Sequence, residues 1–142
     1  MCSVDDNCAG VLRKKLSYFL IFVGAGIGGI LRFLCSTLVH KTFGGLAFPL
    51  GTFAVNLIGC LVIGYLMQLS ESRGVLIGEW RLFVFVGLLG GFTTFSSFGI
   101  ETFQLIRDGE LVYAVANAVG QVGIGLMLVW LGVVVARLVH GG

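Results

Sequence analysis

The chain has 142 residues, of which 57% are hydrophobic and only 11% charged, with a mean hydropathy of +1.03 and a formal net charge of +2. A soluble domain carries about 25% charged residues, so this composition excludes a soluble monomer and predicts an integral membrane protein surrounded by lipid. The charged residues lie at the ends of apolar runs and form no basic stripe, which argues against a nucleic-acid partner.

The N-terminal segment, residues 1–15, is polar, and we interpret it as a leader before a retained first span. Apolar runs then cover about 16–39, 47–69, 81–106 and 111–139, separated by short polar breaks. Each run is long enough to cross a bilayer, which takes about 20 residues, and continuous apolar runs satisfy their backbone in lipid only as helices. The sequence therefore predicts an all-α membrane domain over residues 16–142 with four transmembrane helices.

Glycines mark the first span. The stretch "GAGIGG" at 24–29 has the spacing of a dinucleotide-binding loop, but no predicted strand precedes it. We interpret it as helix packing, because Gly24 and Gly28 form a G-x-x-x-G pair, as do Gly87 and Gly91 in the third span. Small residues of this kind let membrane helices approach closely, so the sequence predicts a tight bundle with little interior room.

Polar residues interrupt the second and fourth spans at the same spacing. Asn56 lies mid-span with Thr52 one turn before it, and Asn117 and Gln121 are likewise four residues apart. An amide in hydrocarbon is costly unless it finds partners, so Asn56 is either an interhelical hydrogen bond or a donor that lines a pathway. Two amide faces in a bundle with so little charge favour a lining for something polar.

Two charged residues have alternative interpretations. Arg32, late in the first span, is either an interfacial anchor that reaches the headgroups or a positive charge at the mouth of an anion pathway. Glu101, late in the third span, is either an acid near the membrane surface or a structural partner for a polar group.

The third span contains the least typical stretch, "GGFTTFSSFG" at 90–99. Its glycine pair and threonine pair predict a helix break over Gly90–Thr94, and the carbonyls of Gly90 and Thr93 would then be free to hold a small cation. Beyond the break, Phe95 and Phe98 are three residues apart on one helix face, and Ser96 and Ser97 offer hydroxyls. Phenyl rings have positive edges, which can face an anion without a full charge.

These motifs resemble those of the CrcB/Fluc family of fluoride channels. "GGFTTFSSFGIE" is similar to the family's third-span signature, "GAGIGGILRF" to its first span and "PLGTFAVNLIGCLVIG" to its second. The resemblance covers about 25–135 and implies a multi-pass channel of the cell membrane, and no enzyme, that exports fluoride to relieve its toxicity. It also implies an antiparallel, dual-topology homodimer with two fluoride pathways.

The resemblance implies roles for individual residues. Fluoride would pass the ring edges of Phe95 and Phe98 with Asn56 and Ser96 as polar partners, and Arg32 would lie toward a vestibule. The family's fourth span usually carries a polar track, which Asn117 and Gln121 would extend here, and we also expect Thr52 to belong to the fluoride pathway. The carbonyls of Gly90 and Thr93 would hold a structural Na⁺ at the dimer centre.

Other interpretations stay open at this point. Basic residues favour the side that carries both termini, which suits a chain that pairs with an oppositely oriented paralogue. A small dual-topology multidrug antiporter is a competing class, but it needs a membrane-embedded acid, and the first span contains none. A membrane scaffold without transport activity would not need the block of hydroxyl and phenyl residues.

Overall fold

The computed structural model describes residues 4–43, 45 and 47–141. Residues 1–3 of the predicted leader, and residues 44, 46 and 142 of the predicted membrane domain, lie outside the described residues. The helices are α1 (Val4–Phe43), α2 (Leu50–Arg73), α3, α4 (Phe95–Arg107) and α5 (Leu111–His140), where α3 comprises the contiguous pieces Glu79–Arg81, Leu82–Leu89 and Gly90–Phe92. No strand occurs within these described ranges.

The prediction of four membrane-spanning helices is confirmed. The segments Gly10–Phe43, Leu50–Arg73, Glu79–Arg107 and Leu111–His140 are long and apolar enough to cross a bilayer. The first helix is longer than the predicted first span, because residues 4–15 of the predicted leader continue it. The sequence there contains no proline, and Leu12–Lys15 next to the apolar run are good helix formers, so the helix does not end where the apolar run ends.

Glycine packing joins α1 to α3. A Cβ atom at Gly24 would lie 2.7 Å from the Phe83 carbonyl oxygen and 3.0 Å from the Gly87 Cα. One turn further along, a Cβ at Gly91 would lie 2.5 Å from the Ala25 carbonyl oxygen. The two G-x-x-x-G pairs therefore lie on facing surfaces, which confirms the predicted close packing.

The interior of the bundle is small. A Cβ atom at Gly132 of α5 would lie 2.7 Å from the Tyr65 backbone nitrogen of α2, so these helices also touch through their backbones. Among the described residues, the largest fully buried side chains are Val55 and Asn117. Most larger apolar side chains face outward, as lipid or a second subunit requires.

The third span is interrupted between α3 and α4. Thr93 (φ −83°, ψ 159°) and Thr94 (φ −151°, ψ 114°) are extended, which confirms the predicted break at its C-terminal end. Gly90 itself stays helical, and the segment Leu82–Leu89 before it is a π-helix, in which the Gly90 N–H donates to the Phe85 carbonyl. Of the two glycines, only Gly91 is in close contact with α1, and the chain becomes extended at Thr93, two residues after it.

One end of the bundle gathers the start of α1, the end of α2, the start of α3 and the end of α5. Arg13 forms an ion pair with Glu79, and the Arg73 guanidinium donates to the carbonyl of His140. Both ends of the described chain therefore lie at the same end of the bundle, as an even number of spans requires.

Candidate functional site

Asn56 holds the interrupted backbone of the third span. Its Oδ1 accepts from the Thr94 N–H at 2.8 Å, and its Nδ2 donates to the Thr94 carbonyl at 3.1 Å. In a continuous helix the Thr94 N–H would donate to the carbonyl of Gly90, four residues earlier. The side chain of Asn56 therefore replaces a helical hydrogen bond and leaves the Gly90 carbonyl without that partner.

Thr94 also begins the next helix. The Ser97 N–H donates to Thr94 Oγ1 at 3.2 Å, an N-cap for α4, and the hydroxyls of Thr94 and Ser97 lie 3.0 Å apart. The exposed Ser96 hydroxyl lies 3.3 Å from the same Thr94 oxygen. The hydroxyls of the 90–99 stretch are thus partly explained by capping, which lets helix resume at Phe95.

A series of amides continues from Asn56 into α5. Asn56 Nδ2 also donates to Gln121 Oε1 at 2.6 Å, and Gln121 Nε2 donates to Asn117 Oδ1 at 3.0 Å. Asn117 Nδ2 then donates to Thr102 Oγ1 at 2.8 Å. The two amide faces predicted from the sequence are therefore brought together, and they bond to each other.

A lateral groove of about 360 Å³ lies beside the break. Its lining includes six of the predicted site residues: Asn56, Gly90, Thr93, Phe95, Phe98 and Gln121. The rings of Phe95 and Phe98 have centroids 5.3 Å apart at an interplanar angle of 49°, and the Phe95 side chain is 82% exposed. No Lys, Arg, His, Asp or Glu lines the groove among the described residues.

A larger cleft of about 1050 Å³ opens between α1, α2 and α4. It contains two more predicted residues, Arg32 and Thr52. Thr52 Oγ1 donates to Glu101 Oε1 at 2.6 Å, so Glu101 is a structural partner, while its buried Oε2 has no hydrogen-bond partner among the described residues. Arg32 lies half-buried in the cleft wall, and its role in a vestibule stays a prediction.

Thr94 lines both the groove and the cleft, so the two cavities lie next to each other at the break. Of the remaining predicted residues, Ser96 lies outside both linings, and Asn117 is fully buried outside both. Sequence reasoning gave no role to Thr102, and it placed Thr94 in the break without a contact. The spacing of Thr94 and Ser97 is typical of an N-cap and could have predicted that contact. No local sequence pattern predicts the contact between Thr102 and Asn117.

Comparison with known proteins identifies the family of this chain. The family described as "CrcB-like protein, Camphor Resistance (CrcB)" matches residues 19–133. Curated relatives named "Fluoride-specific ion channel FluC" include that of Methylobacillus flagellatus, which is 47% identical over 113 residues, covering 80% of this chain and 88% of the relative. A second relative of this name, from Pelobacter propionicus, is 45% identical over 132 residues, covering 92% of this chain and 99% of the relative. A third, from Solibacter usitatus, is 42% identical over 122 residues, covering 86% of this chain and 99% of the relative. The chain therefore belongs to the CrcB family of multi-pass membrane proteins.

Proposed function

We propose that this protein is a fluoride-selective channel of the cell membrane that exports fluoride and so relieves its toxicity. The observation that carries the proposal is that Thr94 lines both the cleft and the groove, and that the rings of Phe95 and Phe98 line the groove beside it. The relatives named as fluoride-specific channels support the choice of ion.

The lining suits a small, strongly hydrated anion. Such an ion enters a membrane only where donors replace its water, and beside the break the exposed Ser96 hydroxyl, although outside both cavity linings, is such a donor near two phenyl rings. The Thr94 hydroxyl is already used, since it donates to Ser97 Oγ at 3.0 Å. Fluoride is smaller than chloride and accepts stronger hydrogen bonds, so a hydroxyl donor favours it. The absence of a full positive charge from the described groove lining avoids trapping the ion there.

The cleft is proposed as the vestibule. Arg32 and Lys41 in its wall attract anions, while Glu101, Asp108 and Glu110 in the same wall oppose them, so the proposal rests on the guanidinium of Arg32 and not on the net charge of the cleft. Thr52 would then be part of the wall beside Glu101, to which its hydroxyl donates. Thr94, which lines both cavities, is where an ion would leave water for the groove.

The groove opens on the side of the bundle, so a single chain does not enclose it. The 82% exposure of the Phe95 ring leaves an aromatic face that a second subunit would cover. We therefore propose an antiparallel dimer, in which each subunit completes the pathway of the other. Its partner is a second copy of the chain in dual topology or an oppositely oriented paralogue, and the basic bias toward one end favours the paralogue.

A structural Na⁺ belongs to the same proposal. The Gly90 carbonyl has lost its helical donor to Asn56, and the extended Thr93 turns its carbonyl away from helical bonding. These neutral oxygens suit Na⁺, since Mg²⁺ and Ca²⁺ prefer carboxylates and more ligands. Two carbonyls from each of two subunits would supply four oxygens, and the bound ion would add positive potential near the anion pathways.

Nothing in the described part of the chain favours the multidrug antiporter. That mechanism needs a carboxylate that exchanges protons for a cation within the bundle. The sequence has no acid between Asp6 and Glu71, and Glu101 is bonded to Thr52 beside the vestibule.

The ring edges provide the test of the proposed function. Phe95→Ile and Phe98→Ile keep bulk and apolarity but remove the positive edge, so fluoride efflux from liposomes should fall about tenfold or more, equivalent to roughly 1.4 kcal/mol. Phe103→Ile is the matched control, because Phe103 is an exposed phenylalanine of α4 that lines neither cavity. Efflux at the wild-type rate from both groove variants would show that the rings only pack.

A further inference from the structure

Five hydrogen bonds form one continuous series around the start of α4. The series runs from the Thr94 N–H through the side chains of Asn56, Gln121, Asn117 and Thr102 to the carbonyl of Phe98, and we call it the amide relay. Its two ends are backbone groups of the same segment, one helical turn apart. Its middle crosses α2 and α5, so it joins three helices.

The orientation of each side-chain amide in the relay, that is, which neighbour its nitrogen and its oxygen face, is fixed by the two ends of the series. Thr102 Oγ1 donates to the Phe98 carbonyl at 2.7 Å, so its lone pairs are left to accept from Asn117 Nδ2 at 2.8 Å. Asn117 Oδ1 must then face Gln121 Nε2, and Gln121 Oε1 must face Asn56 Nδ2. The orientation of a side-chain amide is usually ambiguous, but here the donor-only Thr94 N–H at one end and the acceptor-only Phe98 carbonyl at the other require the same orientation of all three amides.

The last link in this order is the bond that holds the break. With Nδ2 of Asn56 turned to Gln121, only Oδ1 remains for the Thr94 N–H, at 2.8 Å. Both hydrogens of that Nδ2 are in use, one on Gln121 and one on the Thr94 carbonyl. Asn56 is therefore locked in the orientation that pairs with both backbone groups of Thr94.

Two members of the relay have no route to an ion in either cavity. Asn117 is 0% exposed, and neither Asn117 nor Thr102 lines the groove or the cleft. A buried amide costs free energy unless it is fully bonded, so a residue that only filled space would be apolar at this depth.

We propose that Thr102, Asn117 and Gln121 are positioning residues that act through Asn56 on Thr94. They fix the extended backbone at the point where the cleft lies next to the groove, and hence the direction of the Thr94 hydroxyl and the neighbouring Phe95 ring. The inference rests on the proposed function for its effect on flux, but its effect on the Thr94 backbone is independent of any transported ion.

The first test breaks the relay at its far end. In Thr102→Val, Asn117 loses its acceptor and is free to flip, so hydrogen exchange at the Thr94 amide should become about fivefold faster, as expected for one lost hydrogen bond. The Thr94 amide proton resonance should move upfield, and fluoride efflux should fall several-fold. Thr102→Ser keeps the hydroxyl, so its Thr94 exchange rate, its Thr94 amide resonance and its fluoride efflux should equal those of the wild type. Thr42→Val is the matched control, because Thr42 also donates to a carbonyl four residues earlier but lies outside the relay.

The second test uses Gln121→Glu. In this variant a protonated carboxyl group at position 121 accepts from Asn56 and donates its O–H to Asn117, so the relay is complete; the ionised form has lost that donor. The Thr94 amide resonance in this variant should therefore titrate with pH, between a wild-type position at low pH and a shifted position at high pH. In the wild type the same resonance should stay constant over that range.

The results separate the two proposals. A Thr94 amide that is unchanged in Thr102→Val and does not titrate in Gln121→Glu overturns the relay. If Thr102→Val does not assemble, the titration in Gln121→Glu decides alone. If Thr94 responds as expected while the wild-type protein moves no fluoride, the relay stands and the proposed function fails.

Discussion

At the scale of single residues, Asn56 shows what a sequence does and does not reveal. Its position in the middle of an apolar span predicted a bonded or pathway-lining amide. The bonded amide is confirmed by its contacts with Thr94, while the pathway role stays a prediction for a residue that borders the groove. Its partners were not predictable, because Thr94 and Gln121 lie 38 and 65 positions away. Nothing in the local pattern encodes such distances. The same holds for Thr52 and Glu101, which are 49 residues apart.

Two substitutions at Asn56 should differ in a diagnostic way. Asn56→Ala removes all three hydrogen bonds, whereas Asn56→Asp keeps the acceptor for the Thr94 N–H but turns a carboxylate toward the Thr94 carbonyl and Gln121 Oε1. Because an ionised carboxylate also repels an anion, fluoride efflux should be about tenfold lower in Asn56→Asp than in Asn56→Ala. Gel filtration must show that both variants assemble. Wild-type efflux in Asn56→Asp would mean that Asn56 does not act on the pathway.

At the scale of elements, the glycine patterns correctly predicted the close packing of α1 against α3. They predicted the position of the helix break only approximately, and not what stabilises it. The pair Gly90-Gly91 marked where the third span is interrupted, yet both residues are helical, and Gly91 faces α1. The interruption itself is stabilised by Asn56 from another helix. The π-helix over Leu82–Leu89 has no signal in an all-apolar run, because the apolar periodicity that would distinguish it is missing.

The glycine contacts of α1 can be tested within one helix. Gly24→Ala places a methyl group 2.7 Å from the Phe83 carbonyl oxygen, a contact that requires α1 and α3 to move apart. Such overpacking costs about 1–3 kcal/mol, so the melting temperature should fall by several degrees. Gly26→Ala is the matched control, because a Cβ there meets nothing within 4 Å, and it should leave stability unchanged or slightly raised. Equal melting temperatures for the two variants would contradict the packing described here.

At the scale of the whole molecule, composition predicted a four-helix membrane protein, and the structure agrees. The sequence also predicted a bundle too tight for a central pore, and the cleft and the groove are both open on the outside of one chain, with Thr94 in the lining of each. Under the proposed function, the lateral groove lined by Phe95 and Phe98 would be half of a pathway, and the proposed dimer would complete it.

The proposed Na⁺ predicts a dependence of the whole assembly on this ion. An unsatisfied carbonyl in the bilayer centre costs several kcal/mol, and the ion would satisfy those of Gly90 and Thr93 from both subunits. Purification in which a large organic cation replaces Na⁺ should therefore lower the thermal stability of the dimer and its fluoride efflux, and added Na⁺ should restore both. Full stability and efflux without Na⁺ would rule the site out.

The most direct measurement compares the efflux of fluoride and chloride from the same liposomes, reconstituted with this chain as a verified dimer. We predict rapid fluoride efflux while chloride stays at the level of protein-free liposomes, because under the proposed function the ring edges and the Ser96 hydroxyl beside the break would replace the hydration of fluoride alone. Chloride efflux at a comparable rate, or no fluoride efflux from the verified dimer, would contradict the account.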